Sequence, residues 1–301
     1  MKKTRVLSVI LCLTALMNFT LADNIRGINI DFVAIGNAGN AGDTSSGANP
    51  LGGGAVGYDY RIGKYEITNA QWDAFTGAAG APTGNDSHAY IRSAYYTGVQ
   101  QPTGNVSWLE AIQFCNWLTS GDKSKGAYQF SGNDANPGYF LGVNRAAAIS
   151  SYGLTYVIPT ENEWYKAAYF KPDGSGYSRY ANGLNTIPAA DNGWNYSGGA
   201  YSAPWNVGTG TQEQNGTFDM MGNAWEWTEN LASGYDFSYI LRGGSFAITA
   251  TDLASLSRYY YCFSDYESSS NGFRIAEIPE PASAVLMTTA GLFLTLKRRK
   301  V

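Results

Sequence analysis

The stretch "NVSWLEAIQFCNWL", Asn105 to Leu118, decides how the chain is read. It opens on Ser107-Trp-Leu-Glu110, a capping box in which serine and glutamate side chains satisfy each other's free backbone N–H groups. Trp108, Ala111, Ile112, Cys115 and Leu118 then fall on one helical face. The spacing predicts a helix that starts at Ser107 and buries Cys115. Two further boxes, Thr68-Asn-Ala-Gln71 and Thr160-Glu-Asn-Glu163, predict two more helices, the second placing Trp164 beside Ala167 and Ala168. Elsewhere Gly, Asn, Ser and Asp recur every few residues, which reads as loops and short strands. Gly77 to Gly104 and Ser120 to Gly153 read as polar insertions without strong periodicity, and Asn37 to Gly54 is similar. No internal repeat is present.

Composition narrows the function classes. Charged residues are sparse at 15% of 301, while aromatics reach 14% and glycines number 36. That is the profile of a packed, loop-rich globule rather than a disordered chain. A net charge of −4 argues against a nucleic-acid partner, which needs a basic face. The single histidine, His88, excludes sites built from two or three imidazoles, the common zinc hydrolase and facial-triad iron sites among them.

Both ends read as addresses. In residues 1–22, Lys2, Lys3 and Arg5 precede an apolar run from Val6 to about Phe19, and Thr20-Leu21-Ala22 suits cleavage before Asp23. Cys12 would leave with this leader; a retained N-terminal anchor is the alternative. The body then spans 23–277. Residues 278–301 carry Pro279-Glu280-Pro281, an apolar run over 282–296 and a basic cluster, Lys297 to Lys300. The run is shorter than the ~20 residues that cross a bilayer comfortably, and its basic end would stay cytoplasmic during export. This tail resembles the PEP-CTERM sorting signal, which implies recognition and removal by exosortase-type machinery; the alternative is a plain membrane anchor. Either way the body is expected to be exported, to the cell envelope or beyond, anchored in the inner membrane transiently or permanently.

"YEITNAQWDAF" (Tyr65–Phe75), "NVSWLEAIQFCNWL" (Asn105–Leu118), "IPTENEWYKAA" (Ile158–Ala168), "GTFDMMGNAWEWTEN" (Gly216–Asn230), "LRGGSF" (Leu241–Phe246) and "NGFRIA" (Asn271–Ala276) come in one order. Together they resemble the successive motifs of the formylglycine-generating enzyme (sulfatase-modifying factor) family, over about Phe32 to Ala276. The resemblance implies an α+β fold of the C-type-lectin-like kind, loop-rich with few short helices and strands.

The founding enzymes of that family oxidise a protein cysteine with oxygen and a copper ion held by two cysteines, placed three and eight residues after the serine of Gly-Gly-Ser. From Ser245 those positions hold Ile248 and Leu253. Cuprous ion wants thiolate sulfur, so copper is not expected. Cys262 lies seventeen residues after Ser245 and would be a lone thiol. The family cysteine after Gly-Phe-Arg, the usual mate of one at Cys115, is replaced by Ile275. A Cys115–Cys262 disulfide and two buried free thiols both remain open, the apolar face around Cys115 favouring the second. A second branch of the family holds iron with histidines in an extra helical domain; this chain has neither, and His88 reads as a solvated loop residue.

The resemblance further implies a structural calcium held by the carboxylates of Asp219 and Glu226 and the carbonyls of Gly222 and Ala224, with a second site at Asn195 and the Tyr196 carbonyl. Oxygen donors suit a hard cation. The plainer alternative has Asp219 and Glu226 bonding backbone amides while Trp225 and Trp227 fill the core. Arg258, Tyr259, Tyr260, Tyr261 and Tyr266 fall where the family lays its substrate peptide, and tyrosine suits recognition; inward packing of alternate tyrosines is the structural alternative. Arg242 and Arg274 read as braces.

Two functions follow. One is an exported, non-catalytic, calcium-stabilised recognition or structural module, with a polysaccharide or protein ligand, favoured by the missing cysteines and histidines. The other is an oxidoreductase of the formylglycine-generating type, or another reaction in the same groove.

Overall fold

The computed structural model describes residues 22–83, 96–190, 192–196, 203–234 and 238–278, with the side chains of Tyr260 and Tyr261 excepted. His88, residues 1–21 of the leader and residues 279–301 of the tail lie outside the described residues. Three helices begin where the capping boxes place them. They are α1 (Asn69–Ala79), α2 (Trp108–Ser120) and α4 (Glu161–Tyr169), and in each the N-cap hydroxyl and the N3 side chain bond reciprocally. Helix α2 is more deeply set than an amphipathic face requires. Glu110, Gln113 and Asn116 are buried along with its apolar residues. Asn116 Nδ2 donates to the carbonyls of Lys123 and Tyr128, whereas Glu110 Oε1 is buried without a hydrogen-bond partner.

The segment Ser120 to Gly153 is not the featureless insertion its sequence suggests. It forms a hairpin, β5 (Tyr128–Phe130) with β6 (Phe140–Val143), and then α3 (Arg145–Tyr152). Helix α3 has one buried residue, Ala148, so no apolar stripe announces it. It stands on the Asn144 cap, whose side chain accepts from Ala147 N, and it stops at Gly153. Gly77 to Gly104 is likewise structured at its start, where α1 runs on to Ala79.

Strands are short and their pairing is long-range. The first sheet is antiparallel, in the order β3 (Phe32–Ile35), β4 (Tyr60–Gly63), β12 (Ala276–Ile278), β7 (Thr155–Val157). Val33, Ile62, Ala276 and Val157 stand in one register row and are all buried. The second sheet runs β10 (Tyr259–Phe263), β9 (Ser238–Arg242), β8 (Trp225–Leu231), β11 (Asn271–Gly272), with β11 parallel to β8. A separate hairpin pairs β1 (Asp23–Ile25) with β2 (Ile28–Ile30). Its two-residue turn, Arg26-Gly27, has φ of 51° and 88°, the geometry that matches strand twist.

The core is aromatic. Trp72, Phe75, Phe114 and Phe273 pack edge-on or stacked at centroid distances of 5.1–5.8 Å. Its buried arginines are paired with carboxylates. Arg145 bridges Glu163 and Glu229, and Arg242 donates to Glu161 and to the carbonyls of Asn49, Ser255 and Ser257.

Candidate functional site

The segment after β9 turns on Gly243 and Gly244, both at positive φ. A Cβ on Gly244 would sit 2.8 Å from Ile248 Cδ1 and 2.9 Å from Leu253 Cδ2. The side chains at the two positions read as copper-ligand equivalents therefore fold back onto the turn and pack there. Leu253 is fully buried and Ile248 packs against the core. Cys262 is buried in β10 and Cys115 in α2, and both thiols are free. The disulfide alternative is thus overturned. Burial pushes the Cys262 thiol up to about 12 and the Cys115 thiol well above its ordinary value. Burial thus disfavours the thiolate, which is the reactive and metal-binding form.

The second feature is the loop of 216–226. It curls through four residues at positive φ, Gly216, Asp219, Gly222 and Asn223, at 87°, 62°, 85° and 59°. The Gly222 position demands glycine twice over, because a Cβ there would lie 2.2 Å from the Asn195 carbonyl oxygen. Asn223 N donates to that same oxygen, and Asn195 Nδ2 donates to Asn223 Oδ1. The structure thus brings Asn195 and Gly222 together as backbone neighbours. The Tyr196 hydroxyl donates to the Pro188 carbonyl.

Asp219 and Glu226 have different company. Glu226 is fully buried, accepts both Nε and an Nη of Arg274 at 2.6 Å, and accepts Trp164 Nε1 at 2.7 Å. Arg274 uses its other donors on the carbonyls of Gly63, Lys64 and Phe218, the bracing role its sequence suggests. Asp219 Oδ2 accepts Gly208 N at 2.8 Å. Beyond it stands a residue the sequence reading missed, Glu66. Its Oε1 accepts Asn223 Nδ2 at 3.0 Å, while its Oε2 is buried, meets no N–H donor, and the carboxyl group beside it is that of Asp219. Glu213 repeats the pattern, with Oε2 accepting Thr217 Oγ1 and Met220 N and Oε1 unmet. The one local signal for Glu66 was a carboxylate between Tyr65 and Ile67, immediately ahead of a helix cap.

Glu66, Glu213, Asp219 and Glu226 are all buried, and Arg274 is the cation that acts on Glu66, Glu213 and Asp219 while pairing Glu226. Desolvation comes first in raising three of them, followed by repulsion from neighbouring carboxylates. Glu66 stands well above its ordinary value, Glu213 is pushed to about 8 and Asp219 to about 6. A hard cation fits this chemistry, since the free ligand atoms are oxygens and two carboxylate oxygens, Glu66 Oε2 and Glu213 Oε1, receive no donor. Among the described residues no three His, Cys, Asp or Glu side chains converge on one point. Main-chain carbonyls would have to complete any shell.

The tyrosine-rich segment has a mixed character. Arg258 is tied to Glu161 through two hydrogen bonds of 2.7 and 2.8 Å and so braces the segment. Tyr259 and Tyr266 are 43% and 45% exposed and Phe263 is 58% exposed, so apolar rings do face outward here. Tyr260 and Tyr261 lie in β10 between them. Among the described residues no helix is long and apolar enough to cross a membrane.

Comparison with known proteins places these features. The pattern defining the sulfatase-modifying factor enzyme 1-like domain matches residues 32–278. The chain is similar to "Chaperone protein LppX" of Paenibacillus barcinonensis, 24% identical over 219 residues, which cover 66% of this chain and 73% of that one. Among solved structures it is similar to Treponema denticola variable protein 1, with a TM-score of 0.60 and 22% identity over 86% of this chain and 98% of the other. It is also similar to the crystal structure of CarF, with a TM-score of 0.61 and 23% identity over 83% and 98%. These likenesses establish the fold, the α+β C-type-lectin-like kind that the six motifs imply.

Proposed function

The chain belongs to the sulfatase-modifying factor enzyme 1-like family, and on that scaffold we propose a non-catalytic recognition or structural module. One observation carries this reading: Ile248 and Leu253, which an ungapped count from Ser245 puts in the place of the family's copper-binding cysteines, pack onto the turn at Gly244. Neither side chain can bind cuprous ion or pass electrons. The thiol of Cys262, on β10, is buried, and burial raises its pKa.

In this reading calcium stabilises the body. Asp219 and the carbonyls of Gly222 and Ala224 would hold it, Glu226 shares its charge with Arg274, and Glu66 offers the unmet oxygen. Its part is structural, neutralising carboxylates that otherwise repel one another. The exposed rings of Tyr259, Phe263 and Tyr266 form the contact surface for a polysaccharide or protein ligand. The leader over 1–22 and the tail over 278–301 support export, with sorting or anchoring at the cell envelope. The test is turnover. Purified protein loaded with copper and supplied with oxygen and a cysteine-containing peptide should yield no aldehyde. Aldehyde formation that disappears in Cys262→Ser would overturn the non-catalytic reading.

A further inference from the structure

A cleft of about 530 Å³ opens between the β1–β2 hairpin, the first turns of α1 and the loops carrying Gln100 and Val207. It shares no residue with the tyrosine surface of β10. Asn29, Asp31, Tyr65, Glu66, Gln71 and Gln100 supply its polar wall, and no lysine or arginine lines it. Gln71 is locked in place, its Oε1 accepting Thr68 N and its Nε2 donating to the Asn29 carbonyl. The other groups are uncommitted. The Asp31 carboxylate, the Gln100 amide and the Tyr65 hydroxyl have no hydrogen-bond partner among the described residues. Asn29 accepts from Asn24 through Oδ1, which leaves its NH₂ group open. Glu66 lines the floor, but its carboxylate is turned inward to Asn223 and Asp219 and is closed to a ligand. The Tyr65 ring is fixed by Phe218, 5.4 Å away, and by Lys64 Nζ at 5.4 Å from its centroid.

We propose that this cleft binds a neutral saccharide unit, through Asp31, Gln100 and the Asn29 amide as hydrogen-bond partners, with Tyr65 as its aromatic wall. The wall offers free donors and free acceptors side by side. A hydroxyl group both donates and accepts, so a vicinal diol answers both kinds at once. An anionic ligand finds no cation in the lining. An apolar ligand would strand the Asp31 carboxylate out of water, which is costly. An ammonium group would use Asp31 but would leave the Asn29 and Gln100 N–H donors facing a cation. A few fixed polar groups in a concave site beside an aromatic ring are how small-molecule sites gain specificity.

The experiment is calorimetric titration of the purified full chain. The probes are glucose, galactose, mannose, N-acetylglucosamine and their β-1,4-linked tetramers, with glucosamine and glucuronate as charged counterparts. At least one neutral saccharide should bind saturably. Asp31→Ala and Gln100→Ala should each weaken it by about tenfold, the loss of one good hydrogen bond, with melting unchanged. Tyr259→Ala and Tyr266→Ala should leave it unaltered. Binding of none of the neutral sugars, tighter binding of glucosamine or glucuronate, or binding indifferent to both cleft substitutions would each overturn the proposal. Because the β10 surface lies elsewhere, failure in the cleft leaves the recognition reading of that surface to stand or fall by its own test.

Discussion

Arg274 is the residue on which the buried charge depends. It is fully buried, and every donor of its guanidinium meets a carboxylate or a carbonyl. Removing one partner from a buried ion pair leaves an uncompensated charge, so Arg274→Ala should destabilise by about 3–5 kcal/mol. A urea-denaturation midpoint measures this. Arg274→Lys should recover little, since an ammonium cannot reproduce the planar two-pronged contact. Glu66→Gln should behave oppositely in the presence of a chelator. It keeps an oxygen for Asn223 Nδ2 and removes one acid from an overcrowded site, so the midpoint should hold or rise; a drop of about 2 kcal/mol or more would mean that the Glu66 charge is paired after all. The brace at Arg274 was legible because a guanidinium inside an apolar motif has to find oxygen. Glu66 was not. Its contact with Asn223 joins residues 157 positions apart, and no local pattern spans that distance.

At the scale of the element, the capped helices show what local chemistry can announce. Ser107 is buried and makes three bonds with Glu110, accepting at its Oγ from Glu110 N while its own N and Oγ both donate to Glu110 Oε2. Loss of an N-cap hydroxyl costs about 0.5–2 kcal/mol. Ser107→Ala should fall in the upper half of that range, read as a shift of the thermal midpoint, because Ser107 is buried and the Glu110 carboxylate would lose a partner. A substitution without measurable effect would mean that tertiary packing alone fixes where α2 starts. Helices α1, α2 and α4 were readable since cap and apolar period lie within a dozen residues. Helix α3 lacks a stripe, and the strands are too short to show alternation. The insertion of β12 between β4 and β7 unites the ends of the domain through Ile62, Ala276 and Val157, an arrangement that no window of sequence contains. The candidate site divides the same way. Asp219, Gly222 and Asn195 were picked out by motif, whereas the free acceptors at Asp31 and Gln100 come from loops that only the fold brings to one cleft.

For the whole molecule, opposing carboxylates set the pH at which the fold is strongest. Glu163, held by Arg145, titrates below its ordinary value despite its burial. Its contribution is present above the unfolded value near 4.5 and is lost as pH falls. Asp219 and Glu213 are raised, to about 6 and about 8, first by burial and then by neighbouring carboxylates. A raised acid binds its proton more tightly in the folded state. Its stabilisation is complete below the unfolded value and disappears as pH climbs through the folded one. In a chelator the melting temperature should therefore peak near pH 5 and fall steadily to pH 8. Calcium at the Asp219 loop would take the place of the protons, so saturating calcium should flatten the fall and raise the midpoint most at pH 8, where the unprotonated acids repel each other hardest. Glu213→Gln should remove the upper part of the slope in chelator. A melting temperature that stays level from pH 5 to 8 in chelator, or calcium that stabilises equally at both ends, would rule out this coupling of cation and proton in the acid cluster.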